Sequence, residues 1–85
     1  MYIGLAKNKF IDEENIIGIF DLDITSQSHL TRKYLSSSEK SGKIINVADD
    51  LPKSFIVCRE KGKEKIYLCQ MATSTLVKRA ESDTV

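Results

Sequence analysis

The sequence is poor in the residues from which catalytic and metal sites are usually built. It contains one histidine, two cysteines and no tryptophan among 85 residues. These residues cannot supply the four ligands of a zinc site without carboxylates, and Cys58 and Cys69 do not have the CxxC spacing. His29 has no acidic residue three or four positions away, and no nucleophile is paired with a base. The sequence therefore predicts no enzymatic activity, no metal, no cofactor and no small-molecule substrate.

Asp21 and Asp23 are the carboxylates that come nearest to a cation site. They lie two residues apart at the end of a predicted strand, so their side chains share one face. A divalent cation needs more oxygen ligands than these two side chains provide. Helix capping or ion pairing between subunits explains the pair better.

Long apolar runs are also absent. No stretch approaches the ~18 residues that a membrane span requires. The first ten residues, MYIGLAKNKF, lack the apolar centre of a signal peptide. We therefore predict a cytoplasmic protein with no membrane contact, in which both cysteines are reduced thiols.

Acidic residues are scarce in one part of the chain, although the net charge is only +1. Residues 51–80 hold seven basic residues against two acidic ones, whereas residues 1–50 hold six against eight. The basic part could form a positive face for a phosphate backbone. Lysines that flank a turn for solubility would give the same composition.

The apolar pattern predicts one small α+β domain over residues 1–85, with residues 81–85 as a flexible tail. We expect a mostly antiparallel sheet and two short helices. Residues 2–5 and 9–11 fit an opening hairpin, and 16–23 a strand buried on both sides. A helix of about ten residues follows, capped by Thr25, Ser26 or Ser28, and a second short helix begins near Thr73.

The segments SFIVCR and KIYLCQ flank EKGK and predict a β-hairpin. With Gly62 and Lys63 at the centre of the turn, Glu60 pairs with Lys65. The same register places Cys58 opposite Tyr67 and Cys69 opposite Ile56. Both faces of this hairpin are apolar, whereas a small antiparallel sheet normally keeps one wet face. We therefore expect a homo-oligomer, and its predicted interface residues are Ile56, Cys58, Tyr67, Cys69 and Asp21.

The stretch CQMATSTLVKRA allows two interpretations. Thr73 or Ser74 can cap a helix, and Lys78 with Arg79 can complement the dipole at its carboxyl end. Hydroxyl groups and free N–H groups at a helix start also suit a phosphate. The residues alone favour the first interpretation.

Four segments, MYIGL, IIGIFD, LPKSFIV and IYLCQMATSTLVKRA, resemble the RemA/RemB family of bacterial extracellular-matrix regulatory proteins, and most closely its RemB-like branch. The resemblance covers most of residues 1–35 and 51–80. It implies a protomer related to LytTR-type DNA-binding domains that assembles into a ring. It also implies a DNA-binding transcription regulator of biofilm matrix genes.

The chain departs from the RemA branch just before the strand that begins at Ser54. Members of that branch carry adjacent arginines there that are tied to DNA binding, whereas this chain has Asp49 and Asp50. The DNA contacts that we predict instead are Arg32, Lys33, Lys53, Lys78 and Arg79, followed by Lys61, Lys63 and Lys65. The alternative is a ring-forming scaffold that binds a protein partner and not DNA. The near-zero net charge favours that alternative.

Overall fold

The computed structural model describes residues 2–6, 9–22 and 28–82, and this part of the chain forms a small α+β fold. Its elements, in chain order, are β1 (Tyr2–Ala6), β2 (Lys9–Asp12), a 3-10 helix (Glu13–Asn15), β3 (Ile16–Asp21), α1 (His29–Lys40), β4 (Ile44–Asn46), β5 (Ser54–Glu60), β6 (Lys63–Cys69) and α2 (Thr73–Ser82). Asp23, the capping candidates Thr25 and Ser26, and residues 83–85 lie outside the described residues. In the described part of the chain, neither α1 nor α2 has the length and apolar character of a membrane span.

A four-stranded sheet in the order β3-β5-β6-β4 forms the centre of the fold, and β1 and β2 form a separate hairpin. The pairs β3–β5 and β5–β6 are antiparallel, and β5–β6 is the predicted hairpin. The edge strand β4 instead runs parallel to β6, with Ile44 opposite Ile66. A parallel pair needs a long crossover connection, and here the chain passes through β5 before it returns as β6.

The first face of the sheet carries the main core. Ile56, Cys58, Tyr67 and Cys69 are between 0% and 1% exposed. They pack with Ile3, Leu5 and Ile11 from the β1–β2 hairpin and with Leu76 from α2. In this conformation the chain itself covers these four side chains; their place at a subunit interface stays a prediction. The hairpin strands and α2 supply the cover that a single sheet face needs.

The thiol of Cys58 is fully buried in this core. Burial, and to a smaller extent the charge of Glu60, raises the pKa of Cys58 to about 11. The Cys69 Sγ donates to the carbonyl oxygen of Leu5 at 3.3 Å. Both cysteines are free thiols in the core, and Cys58 is protonated at neutral pH.

The second face of the sheet packs against α1. Phe55, Val57 and Ile66 form its buried centre, and Leu35 of α1 with Ile44 of β4 packs against them. The side chain of Ser28 caps α1 by accepting from the N–H of Thr31. The two apolar faces that the hairpin sequence predicts are confirmed, but both are covered mainly within one chain.

A bulge in β3 changes which residues face each core. Ile16 pairs with Cys58 and Gly18 pairs with Val57, so Ile17 is the extra residue. Ile16 and Ile19 consequently both pack on the first core. Ile17 is left 59% exposed. In a regular strand, side chains three positions apart point to opposite faces, so Ile16 and Ile19 could not both pack on the first core.

The β5–β6 hairpin differs from the prediction in its register. Lys61 and Gly62 occupy the turn, with φ angles of 51° and 78°. Two positive φ angles in a two-residue loop are the mark of a type I′ turn, which matches the twist of the strands. Glu60 therefore pairs with Lys63, and Ile56 with Tyr67. Because β6 is displaced by two residues from the predicted pairing, every side chain keeps its predicted face.

Candidate nucleic-acid interface

A groove lined with basic residues lies between the tip of the β5–β6 hairpin and the connection from α1 to β4. It has a volume of about 560 Å³, and Lys43, Arg59, Lys63 and Lys65 line it together with Ser41 and Gly42. We call it the basic groove. Its one acidic lining residue is Glu64.

The connection after α1 places Lys43 at the groove. Gly42 has a φ of 73°, a left-handed conformation that glycine adopts without steric cost and that ends the helix. The N–H of Lys43 donates to the carbonyl of Ser38 at 2.9 Å. The Lys43 carbonyl accepts from the N–H of Ile66, also at 2.9 Å. These two bonds fix the backbone of Lys43 beside β6.

The two acidic residues of the hairpin make internal contacts. Glu64 accepts a hydrogen bond from the Tyr34 hydroxyl. Glu60 accepts from the Tyr67 hydroxyl at 3.1 Å, and Lys65 Nζ lies 3.4 Å from its other carboxylate oxygen. Burial, followed by Glu64 for Tyr34 and Glu60 for Tyr67, raises the pKa of each tyrosine to about 12. Both hydroxyls therefore stay protonated and donate to the carboxylates at neutral pH.

The hairpin tip is positive as a whole. The cations around it are Lys43, Arg59, Lys61, Lys63 and Lys65, against Glu60 and Glu64, so basic residues outnumber acidic ones by five to two. Arg59 and Lys63 are exposed. Such a surface attracts a phosphate backbone, which supplies most of the affinity in non-specific nucleic-acid binding.

The five DNA contacts predicted from the sequence do not lie on one surface. Arg32 and Lys33 are exposed on α1, over the second face of the sheet, whereas Lys78 and Arg79 are exposed on α2, over the first. Lys53 precedes β5, where its N–H donates to the Cys69 carbonyl at 2.8 Å. Contact of these residues with DNA stays a prediction.

The basic end of α2 has a structural role. Arg79 Nη1 donates to the carbonyl oxygen of Gly4 at 2.9 Å, which links α2 to β1. This contact joins the last helix to the first hairpin, 75 residues apart in the chain.

The basic groove includes Lys43 and Arg59, which the sequence did not single out, and it includes Lys63 and Lys65, which it placed second. Lys43 reaches the hairpin only because β4 pairs in parallel with β6. The glycine after a helical segment was the signal that the chain turns back at this point. No local pattern indicated which strand the returning chain would join.

A second, apolar groove adjoins the basic groove. It has a volume of about 550 Å³, and its apolar lining residues are Ile17, Phe20, Leu30, Tyr34, Phe55 and Val57. We call it the apolar groove. Arg59 and Glu64 border both grooves. The rings of Phe20 and Phe55 stack with their centroids 5.0 Å apart and form its floor.

Within the described residues, no group of three or more histidine, cysteine, aspartate or glutamate side chains could hold a metal ion. Asp21 lies at the end of β3, opposite Ser54, and is partly exposed. Its companion in the sequence prediction, Asp23, is outside the described residues. A role for Asp21 between subunits stays a prediction.

Comparison with known proteins relates the chain to one regulator. No family model matches it. The chain is 30% identical over 81 residues to extracellular matrix regulatory protein B of Bacillus subtilis (strain 168), which covers 95% of this chain and 91% of the relative. Because the match spans 81 of the 85 residues, both grooves lie within it. The chain therefore belongs to the RemB-like family of extracellular matrix regulatory proteins.

Proposed function

We propose that this protein is a non-enzymatic, oligomeric transcription regulator of extracellular-matrix genes that binds double-stranded DNA through the basic groove. The observation that carries the proposal is the concentration of five cations at the hairpin tip of a chain whose net charge is only +1. The name of its relative supplies the regulatory class.

The groove suits the backbone of a duplex better than its base edges. Lysine and arginine contacts to phosphate fix the position of a protein on DNA but do not read sequence. Sequence preference then comes from how easily a given duplex bends to meet several copies. Assembly multiplies the contacts, because the electrostatic contribution of each copy adds along one duplex.

A scaffold that binds a protein partner is the second candidate. Asp49 and Asp50 are exposed, and Leu51 beside them is 79% exposed. These three residues stand before β5, where the RemA branch carries its arginines. An acidic, apolar loop suits a basic protein surface better than a phosphate backbone.

Fluorescence anisotropy of a labelled AT-rich duplex of about 40 base pairs tests the function. We expect binding whose logarithm falls steeply and linearly with the logarithm of salt concentration. No binding at low salt by folded protein would exclude DNA as the ligand and leave the scaffold candidate.

The pair Lys43→Gln with Lys63→Gln tests the site. Each lost phosphate contact lowers the salt slope by about 0.9, and affinity falls with it. The matched control is Lys53→Gln with Lys78→Gln, which removes the same charge outside the groove. If the control pair loses binding and the groove pair does not, the contacts lie at the positions predicted from the sequence.

A further inference from the structure

In addition to Leu51 and Val77, two groups of large apolar side chains are exposed on the described part of the chain. One is the apolar groove, where Leu30 is 76% and Ile17 is 59% exposed. The other is formed by Tyr2 and Phe10, which are 67% and 60% exposed on the β1–β2 hairpin. We call this pair the aromatic ridge. Exposed apolar groups of this size mark interaction surfaces in soluble proteins.

The hairpin register places both ridge residues on its outer side. Gly4 pairs with Phe10 and Tyr2 with Asp12, so these four residues share one face. Ile3 and Ile11 point the other way, into the first core. A Cβ atom at Gly4 would lie 3.2 Å from the Phe10 ring, so glycine lets that ring lie close to the strand.

The ridge and the groove belong to opposite layers of the molecule. The ridge lies outside the hairpin that covers the first face of the sheet, and the groove opens on the second face beside α1. One copy cannot insert its ridge into its own groove. A second copy can do so without any change in fold.

Charges beside the two surfaces are opposite in sign. Asp12, Glu13 and Glu14 follow the ridge and outnumber Arg79, whose Nη1 lies 3.4 Å from the Cβ position of Gly4. Arg59, which borders the groove, and Arg32 with Lys33 on α1 outnumber Glu64. Contact between two grooves would bring two mainly basic surfaces together, and contact between two ridges would bring two mainly acidic surfaces together. Contact between a ridge and a groove instead pairs opposite charges, which selects this arrangement over the symmetric ones.

We propose that the aromatic ridge of one copy docks in the apolar groove of the next copy, head to tail. Each copy then offers a free ridge at one end and a free groove at the other, so the contact is heterologous and repeats. This contact rests on the proposed function only in requiring that the protein is oligomeric. It adds which surfaces of two copies meet and in which orientation.

Light scattering of the full chain and its variants tests the contact. Wild-type protein is expected at a mass at least twice the 9.6 kDa of one chain. Leu30→Arg blocks the groove, and Tyr2→Arg or, as a second variant, Phe10→Arg blocks the ridge; each should run as a monomer. Leu51→Arg is the matched control, because Leu51 is equally exposed but lies outside both surfaces, and it should keep the wild-type mass. Circular dichroism establishes that each variant is folded.

Mixing the two kinds of variant distinguishes the proposed contact from a symmetric one. An equimolar mixture of Leu30→Arg and Tyr2→Arg retains one intact ridge and one intact groove, and should give a dimer and nothing larger. A mixture that stays monomeric, or a Tyr2→Arg variant that remains oligomeric alone, overturns the head-to-tail contact. A wild-type oligomer that survives all three substitutions overturns this contact and leaves the proposed function standing. A monomeric wild type overturns both this contact and the oligomeric part of that function, while DNA binding is decided separately by anisotropy.

Discussion

The guanidinium group of Arg79 connects the last helix of the described chain to its first hairpin through the Gly4 carbonyl. Arg79→Leu removes this charge-assisted bond and should lower the free energy of unfolding by about 1 kcal/mol. Urea denaturation followed by circular dichroism measures the loss. Lys78→Leu is the matched control on the neighbouring exposed residue, and it should change the midpoint little. Equal losses in both variants would show that the effect comes from charge at the helix end rather than from the bond.

Gly18 sets the shape of the apolar groove at the residue scale. A Cβ atom at this position would lie 2.7 Å from the Phe20 ring, closer than real side chains approach. The absence of that atom lets the Phe20 ring fold over the strand and stack on Phe55. The bulge at Ile17 brings a second apolar side chain to the same groove. Two local departures from a regular strand therefore build the surface on which we place the subunit contact.

The tight turn of the β5–β6 hairpin holds one non-glycine residue in a strained backbone conformation. Lys61 has a φ of 51°, and a non-glycine residue pays about 1 kcal/mol in this left-handed region. Asparagine tolerates it better than other side chains, so Lys61→Asn should raise the free energy of unfolding by about 0.5 kcal/mol. Thermal and urea unfolding measure the change. Lys61→Ala, which removes the same charge but keeps the strain, should show no gain; a gain in both would attribute the effect to charge.

The elements that the sequence predicted best are those with dense local signals. The β5–β6 hairpin alternates two complete apolar sets, and its faces are as predicted, although its register is not. The register error follows from one turn position, because a single glycine can serve as the first or the second central residue. Helix α1 was predicted in the right place because Ser28 precedes a helical apolar stripe.

Features that depend on distant segments were not predictable. The first face of the β5–β6 hairpin looked like a subunit interface because nothing local indicates that the β1–β2 hairpin folds onto it. Ile3 and Leu5 contact residues more than 50 positions later in the chain. The three-residue strand β4 is too short to reveal its partner or its parallel direction. The sequence correctly predicted that both faces of the β5–β6 hairpin are apolar. It did not indicate that the β1–β2 hairpin and α2 cover the first face and α1 the second.

The two grooves lie side by side on the molecule, and Arg59 and Glu64 border both. Arg59 and Glu64 are direct partners across the β5–β6 hairpin. The paired strands therefore connect the proposed DNA surface to the proposed subunit contact. Each added copy then brings another basic groove into a repeated position. DNA affinity should consequently depend on assembly as well as on the cations of one chain.

The variant Leu30→Arg separates the contribution of assembly to DNA affinity from the contribution of the cations of one chain. It should leave the basic groove intact but prevent assembly, so the duplex affinity falls by more than tenfold and the salt slope becomes shallower. The substitution adds a positive charge, which alone would strengthen binding to DNA, so a loss cannot come from repulsion. Anisotropy titrations at two salt concentrations, beside light scattering of the same samples, give both quantities. If the variant is monomeric and still binds with the wild-type salt slope, one copy supplies all the phosphate contacts and assembly serves another purpose. If the slope falls in proportion to mass, the contacts accumulate over the copies, as a chain with so little net charge requires.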